Sequence, residues 1–162
     1  MEKKLARLTE NANHHRRLTT VLSQEEINAY FALRMGKRIP QGVSGVRFEL
    51  HPGQPAAFGT VDFEEYKAAA RRPVNPVLDL LLQGRKAVAV RGSYETPAKG
   101  YGLFHLESVT IGTFTVRGAL LDFLLRWFVL PRYPNAVVDR PFSLPANLQR
   151  AVVEEGRVVL YQ

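Results

Sequence analysis

The sequence predicts an α+β fold in which a curved antiparallel sheet of about five or six strands wraps around one apolar helix, with additional N-terminal and short helices. Strand patterns outnumber helical ones, most links between strands are short, and residues 117–131 (RGALLDFLLRWFVLP) are apolar on almost every side. The 162 residues, 46% of them hydrophobic, fit one domain. We expect a polar N-terminal segment or tether over residues 1–20 and a single α+β domain over residues 21–162.

The first strong helix signal covers residues 24–35. Ser23 is a favourable N-cap, and Glu26 three residues later completes a capping box. Leu22 and Ile27 occupy the two positions of a hydrophobic staple. The pattern therefore predicts a helix with a well-defined start.

A strand hairpin and two short helices follow this helix. Apolar and charged residues alternate over 46–50, which predicts a half-buried strand, and residues 57–63 can return beside it after a Pro-Gly turn. Asp62 can cap a short helix that Pro73 ends. Residues 76–83 predict a further short helix with an apolar surface.

The second half of the chain predicts a long strand pair and a terminal hairpin. Residues 86–111 alternate regularly at first and less regularly on the return, and a bulge near Glu107 and Ser108 would reconcile the two halves. The chain ends with a hairpin around Glu155 and Gly156.

Residues 118–130 form the central helix of the predicted fold. Each large apolar side chain gains roughly 1.5–3 kcal/mol on full burial, so this helix has to be surrounded. Asp122 and Arg126 are four residues apart and can pair along one narrow polar strip. This helix and helix 76–83 together present more apolar surface than one face of the sheet can cover. That excess favours an apolar ligand or a membrane contact. A closed core without any ligand explains the same pattern.

The candidate ligand-binding residues are large apolar side chains of these two helices. We expect them to line a groove for a lipid or another apolar small molecule. On the first helix they are Leu120, Phe123, Leu124, Trp127 and Phe128, with Leu78 and Leu81 opposite.

Residue types that several other functions require are absent or unsuitably spaced. The chain has no cysteine, which excludes disulfides, thiolate catalysis and cysteine metal sites. It has neither a phosphate-binding glycine loop nor a Gly-x-Ser-x-Gly motif, and its four histidines lack the spacing of a helical zinc site. Asp62, Glu64 and Glu65 cluster where a helix start favours carboxylates. We therefore expect no catalytic residue, no metal and no cofactor.

Two further hypotheses remain open at this point. The net charge is +7. Residues 1–38 contain eight Lys or Arg but only four acidic residues, so this basic region could contact nucleic acid or another acidic polymer. No nucleic-acid motif accompanies the charge, which disfavours nucleic acid, and an anionic membrane surface suits the charge equally. The other hypothesis is a small enzyme with a site around Tyr94, Glu95, Tyr101 and His105.

The order of several short motifs resembles a set of bacterial extracytoplasmic proteins with tubular-lipid-binding-like or AsmA-like folds. The motifs are LSQEEINAYF, GVSGVRFEL, GTVDF, GLFHLESVTIG before the apolar helix, PFSLP and GRVVLY, and they span about residues 20–162. The resemblance implies a helix wrapped by a long curved sheet, non-enzymatic lipid binding or transport at the cell envelope, and an anchor or leader preceding Met1. A periplasmic location follows from the resemblance alone. The residues themselves leave the cytoplasm and the oligomeric state open.

Overall fold

The structure, a computed structural model, describes residues 1–12, 17–36, 39–70, 82–129 and 138–162. The four helices in these residues are α1 Glu2–Ala12, α2 Gln24–Tyr30, α3 Phe63–Ala70 and α4 Gly118–Leu124. The strands are β1 Thr19–Ser23, β2 Val43–His51, β3 Gln54–Asp62, β4 Arg85–Ala98, β5 Tyr101–Ile111, β6 Phe114–Val116, β7 Phe142–Ser143, β8 Arg150–Glu154 and β9 Arg157–Tyr161. The predicted α+β class with an antiparallel sheet is confirmed. The predicted helix 76–83 falls largely outside the described residues.

The larger sheet has six antiparallel strands in the order β2-β3-β4-β5-β6, with β7 pairing beside β5. Arg91 faces Ser108 and the next residue, Gly92, faces Leu106, so Glu107 is the extra residue of a bulge. The predicted bulge is confirmed. The bulge keeps Leu106 on the same sheet face as Val109, although the two residues are three positions apart in sequence and would face opposite sides of a regular strand.

The smaller sheet has three antiparallel strands in the order β1-β9-β8, and it includes the predicted terminal hairpin. Leu22, Ala151 and Leu160 of this sheet form the buried core cluster together with Leu8 and Leu148. Backbone hydrogen bonds at Gly53 join the two sheets: its N–H donates to Val153 O at 2.9 Å, and its carbonyl accepts from Tyr94 N at 2.8 Å. Gly53 has a φ of 66°, a conformation that glycine adopts without the strain of a Cβ.

Helix α2 begins as the sequence predicts. The Ser23 side chain accepts from the Glu26 N–H, and the Glu26 side chain accepts from the Ser23 N–H. The predicted helix over 24–35 is confirmed, with its last five residues, Phe31–Met35, in a wider π-helical turn. The side-chain amide of Asn28 satisfies backbone groups at the free edge of β2. Its oxygen accepts from the Phe48 N–H at 2.7 Å, and its nitrogen donates to the Phe48 carbonyl at 2.9 Å.

Helix α1 packs on the smaller sheet. Leu8 is only 2% exposed within the core cluster, and Lys4 Nζ lies 2.6 Å from the Glu26 carboxylate. The Gln162 side-chain amide donates to the Leu8 carbonyl at 2.9 Å, which ties the helix to the chain end. Residues 2–12 are therefore a packed helix in this fold. The domain division at residue 20 stays a prediction.

The larger sheet is uncurled, so the predicted wrapping around the apolar helix is not confirmed. Helix α4 starts directly after β6, a three-residue strand at the sheet edge, and no described strand lies beyond it to cover the outer side of the helix. The predicted ion pair between Asp122 and Arg126 is also wrong within the described residues, since the helix widens into a π-helical turn, Leu125–Val129, between their positions.

Candidate functional site

The outer side of α4 is apolar and exposed to solvent. Leu120, Phe123 and Trp127, which we call the α4 surface, are 43%, 42% and 67% exposed. Their spacing of three and four residues places them on one side of a helix. The rings of Phe123 and Trp127 lie 6.0 Å apart between centroids, so the aromatic pair is in contact. Three of the predicted ligand-binding residues thus form one surface.

The inner side of α4 is anchored on the larger sheet. Leu121 is 3% exposed, and Val116, the last residue of β6, is 2% exposed. Val116 pairs with Val109, which pairs with Val90, so these side chains share one face of the sheet. The neighbouring Thr115 points to the other face and is exposed. The helix therefore lies on the valine-bearing face.

That valine-bearing face continues beyond the helix. Val88 and Ile111 are paired across the β4–β5 ladder and both remain half-buried. Phe114 is paired with Ile111 and is 43% exposed. The face on which α4 lies therefore carries one further exposed and two half-buried apolar side chains.

The remaining predicted ligand-binding residues are only partly described. Leu124 is half-buried on α4. The side chain of Phe128 lies outside the part that the structure describes, and so do Leu78 and Leu81. The expected second, opposing wall of a groove stays a prediction.

Charged residues flank the α4 surface. Arg117 precedes the first residue of the helix, Arg126 lies in its π-helical turn, and both are exposed. Asp122 is the exposed acidic residue of the same helix. An apolar strip between two arginines suits contact with the boundary of an anionic lipid layer, where acyl groups and negative headgroups meet.

The opposite face of the larger sheet carries a shallow groove of about 270 Å³. Its lining includes Arg47, Phe58, Thr60, Ala87, Ala89 and Thr110, and we call it the arginine groove. The sequence analysis missed it. Arg47 and Arg91 alternate with apolar residues in separate strands, and only the strand register brings both to the ring of Phe58.

The residues of the hypothetical enzyme site do not converge. Tyr94 packs against the buried core cluster and points to the opposite sheet face from its neighbour Glu95. Burial raises the pKa of Tyr94, and the Thr96 side chain partly offsets this rise. His105 instead pairs with Asp139 at 3.0 Å, while Tyr101 lies at the start of β5.

Neither a metal centre nor a spanning helix is found in the described part of the chain. No group of three or more His, Cys, Asp or Glu side chains there is placed to hold a metal ion. No helix in those residues is both long and apolar enough to cross a membrane.

Comparison with protein-family models finds no match, and comparisons with curated proteins and with solved structures find no significant match either. The chain's own residues are therefore the basis for a functional proposal.

Proposed function

We propose that this protein is a non-enzymatic lipid-binding protein that uses the α4 surface. The observation that carries the proposal is the exposure of Leu120, Phe123 and Trp127 side by side on one helix. Fully burying each such side chain is worth roughly 1.5–3 kcal/mol, and this fold realises only part of that free energy. A partner that removes these side chains from water would recover that free energy.

A lipid is the partner that best fits the surroundings of this surface. Phe114, Ile111 and Val88 are paired across β6, β5 and β4 on the same sheet face, where an acyl chain could lie beside the helix. A lipid in this position would cover the outer side of α4 and complete the enclosed helix that the sequence predicts. The wrapped arrangement is thus part of the proposal, with the lipid as the missing layer.

Positive charges near the α4 surface favour a lipid with an anionic headgroup. Arg117 and Arg126 are exposed at the two parts of the helix that flank the apolar strip, and the whole chain carries a net charge of +7. Each Lys or Arg near an anionic membrane surface contributes about 1 kcal/mol of attraction. The location at the bacterial cell envelope, and any role in lipid transport, rest on the sequence resemblance.

The basic N-terminal region receives no comparable support as a surface for acidic polymers. Lys4 is paired with Glu26, and Arg34 is paired with Glu2. Two of its cations therefore already neutralise carboxylates of the same fold.

The test combines lipid extraction with vesicle flotation. We expect mass spectrometry of an organic extract of the purified protein to reveal lipid, and we expect the protein to float with vesicles that contain phosphatidylglycerol. The variant Leu120→Ser/Phe123→Ser should lose both properties. Leu33→Ser is the matched control, because Leu33 is 82% exposed on the extension of α2 and lies outside the α4 surface.

Two outcomes would contradict the proposal. One is an extract without lipid together with no flotation of the parent protein. The other is flotation that Leu33→Ser reduces as much as the α4 variant does, since the binding would then reflect general stickiness of exposed leucines.

A further inference from the structure

Phe58, a lining residue of the arginine groove, is contacted by two arginines: Arg47, which also lines the groove, and Arg91, which lies beside it. The guanidinium carbon of Arg47 lies 4.4 Å from the ring centroid of Phe58, and that of Arg91 lies 5.4 Å from it. Both distances are within the range of a cation–π contact. One ring therefore contacts two guanidinium groups.

Strand register explains why these three side chains meet. Phe58 is the direct partner of Arg47 on one side and of Ala89 on the other, and Arg91 follows two residues after Ala89 on the same face. Ala89 is small, so the long side chain of Arg91 can lean over the ring. The arrangement is thus a property of the sheet pairing and requires no loop.

The two arginines differ in their electrostatic partners. Arg47 forms an ion pair with Glu49, its neighbour on the same strand face. Arg91 is exposed, and no carboxylate among the described residues pairs with it. Arg91 therefore has N–H groups available for an anion, while Arg47 would have to exchange a carboxylate for one.

The floor of the groove is made of small and hydroxyl-bearing residues. Ala87 pairs with Thr60, and Ala89 pairs with Thr110, whose hydroxyl lies 3.0 Å from that of Thr115. Small side chains leave the backbone accessible over a flat area beside the arginines. A planar ring can lie on such a floor, with hydroxyl groups nearby to orient polar substituents.

From these features we propose that the arginine groove binds a phosphate ester that carries a planar ring, of the size of one nucleotide. Arginine presents a fork of N–H donors that matches phosphate oxygens, and its plane stacks on rings. The volume of about 270 Å³ lies just below the range of about 300–1,000 Å³ that is typical of small-ligand sites, so the groove has room for no more than one small molecule.

This site is independent of the proposed lipid surface. The groove lies on the face that carries Thr110 and Thr115, and α4 lies on the face that carries Val109 and Val116. A lipid layer in contact with α4 cannot also cover the opposite side of the sheet. The ligand is therefore expected to be dissolved in water, and its binding does not depend on lipid.

Titration calorimetry with adenosine 5′-monophosphate is the test. We expect the parent protein to bind it, and to bind adenosine alone or inorganic phosphate alone at least about tenfold more weakly, because each probe lacks one of the two contacts. Arg91→Ala should weaken binding by about tenfold to a hundredfold. Arg150→Ala, which removes an exposed arginine of β8, is the matched control and should leave the affinity unchanged.

Two further variants separate binding from a purely structural role. Arg91→Lys retains the positive charge, is expected to fold even if the alanine variant does not, and should still weaken binding because lysine lacks the planar fork. Glu49→Gln should strengthen binding severalfold, because it releases Arg47 from its carboxylate partner. If the Arg47–Glu49 ion pair only stabilised the sheet, Glu49→Gln would not increase the binding affinity.

Several results would overturn the proposal. These are no binding of adenosine 5′-monophosphate by the parent protein, equal binding by Arg91→Lys and Arg150→Ala, or binding of a single-stranded oligonucleotide without binding of the mononucleotide. Groove-dependent binding confined to vesicles of phosphatidic acid would also overturn it, since the anion would then be a lipid headgroup.

Discussion

Helix α1 is the more polar of the two helices but packs against a buried core, whereas helix α4 is the more apolar but has an exposed outer side. Helix α1 (EKKLARLTENA) is mostly polar, yet its Leu8 is 2% exposed inside the core cluster of the smaller sheet. Helix α4 is almost entirely apolar, yet Trp127 just beyond its end is 67% exposed. The difference arises from the neighbours: α1 faces a three-stranded sheet and is tied down by Lys4 and Gln162, whereas α4 follows a short edge strand.

This contrast shows that composition alone does not decide which helix a fold buries. It also separates two roles. The α1 region gains stability from packing, and the α4 region leaves apolar surface available for a partner. Substitutions in the α1 region should therefore mainly lower the free energy of unfolding. Substitutions in the α4 region should mainly weaken binding.

The largest stability effect is expected at Leu8. Leu8→Ala should lower the free energy of unfolding by about 2–5 kcal/mol, because it removes buried methyl groups and leaves a cavity among Leu22, Leu148 and Leu160. Urea denaturation followed by circular dichroism measures this change. A loss below about 1 kcal/mol would mean that α1 is not part of the core and would remove the contrast.

The next effect concerns the edge of the larger sheet. Asn28→Ala should cost about 1–3 kcal/mol, since it removes both hydrogen bonds to the Phe48 backbone. Asn28→Asp keeps the acceptor and loses the donor, so its unfolding free energy should be intermediate in urea denaturation. An alanine variant as stable as the parent would show that water replaces the amide at this edge without cost.

The ion pair that holds α1 makes a pH-dependent contribution. Hydrogen bonds from Lys4 and from the Ser23 N–H lower the pKa of Glu26 from its ordinary 4.5 to about 2. Because the folded-state pKa is the lower one, the stabilisation is complete above pH 4.5 and is lost as the pH falls towards 2.

Glu26→Gln should therefore show a smaller loss of stability than the parent protein over this acidic range. Thermal unfolding at a series of pH values measures the difference. Glu10→Gln, an exposed position of α1, serves as the control and should follow the parent curve. Parallel curves for Glu26→Gln and the parent would contradict the assignment.

Local features of the sequence predicted much of the fold. The capping box of Ser23 and Glu26, the bulge at Glu107 and the hairpin around Gly156 depend on nearby residues, and all three are present. The edge position of β6 and the pairing that brings Arg47 and Arg91 to Phe58 depend on contacts distant in sequence. Hydrophobic patterns report that a side chain favours burial, but they do not report what lies next to it.

For the candidate site, the hydrophobic pattern identified three side chains of one surface, but the groove in which it placed them is not confirmed. Leu120, Phe123 and Trp127 were expected around a groove inside a wrapped sheet, and they lie on the outer side of α4. The missing information is the strand order, in which β6 is the edge strand and no described strand lies beyond it. Strand order depends on contacts between residues distant in sequence.

The smallest stability effect is expected on the α4 surface itself. Leu120→Ser and Phe123→Ser should each lower the free energy of unfolding by only about 1–2 kcal/mol, because the two side chains are 43% and 42% exposed whereas Leu8 is 2% exposed. Urea denaturation beside Leu8→Ala provides the comparison. A loss as large as that of Leu8→Ala would place these residues in a core and would contradict the distinction between the two helices.

The emission of Trp127 tests lipid binding most directly, because it is the only tryptophan of the chain and belongs to the α4 surface. On addition of phosphatidylglycerol vesicles, the account predicts a shift of the emission to shorter wavelength and protection from quenching by acrylamide, as the exposed indole enters an apolar environment. Emission and quenching that stay unchanged while the vesicles are in large excess would contradict a lipid-binding role for α4.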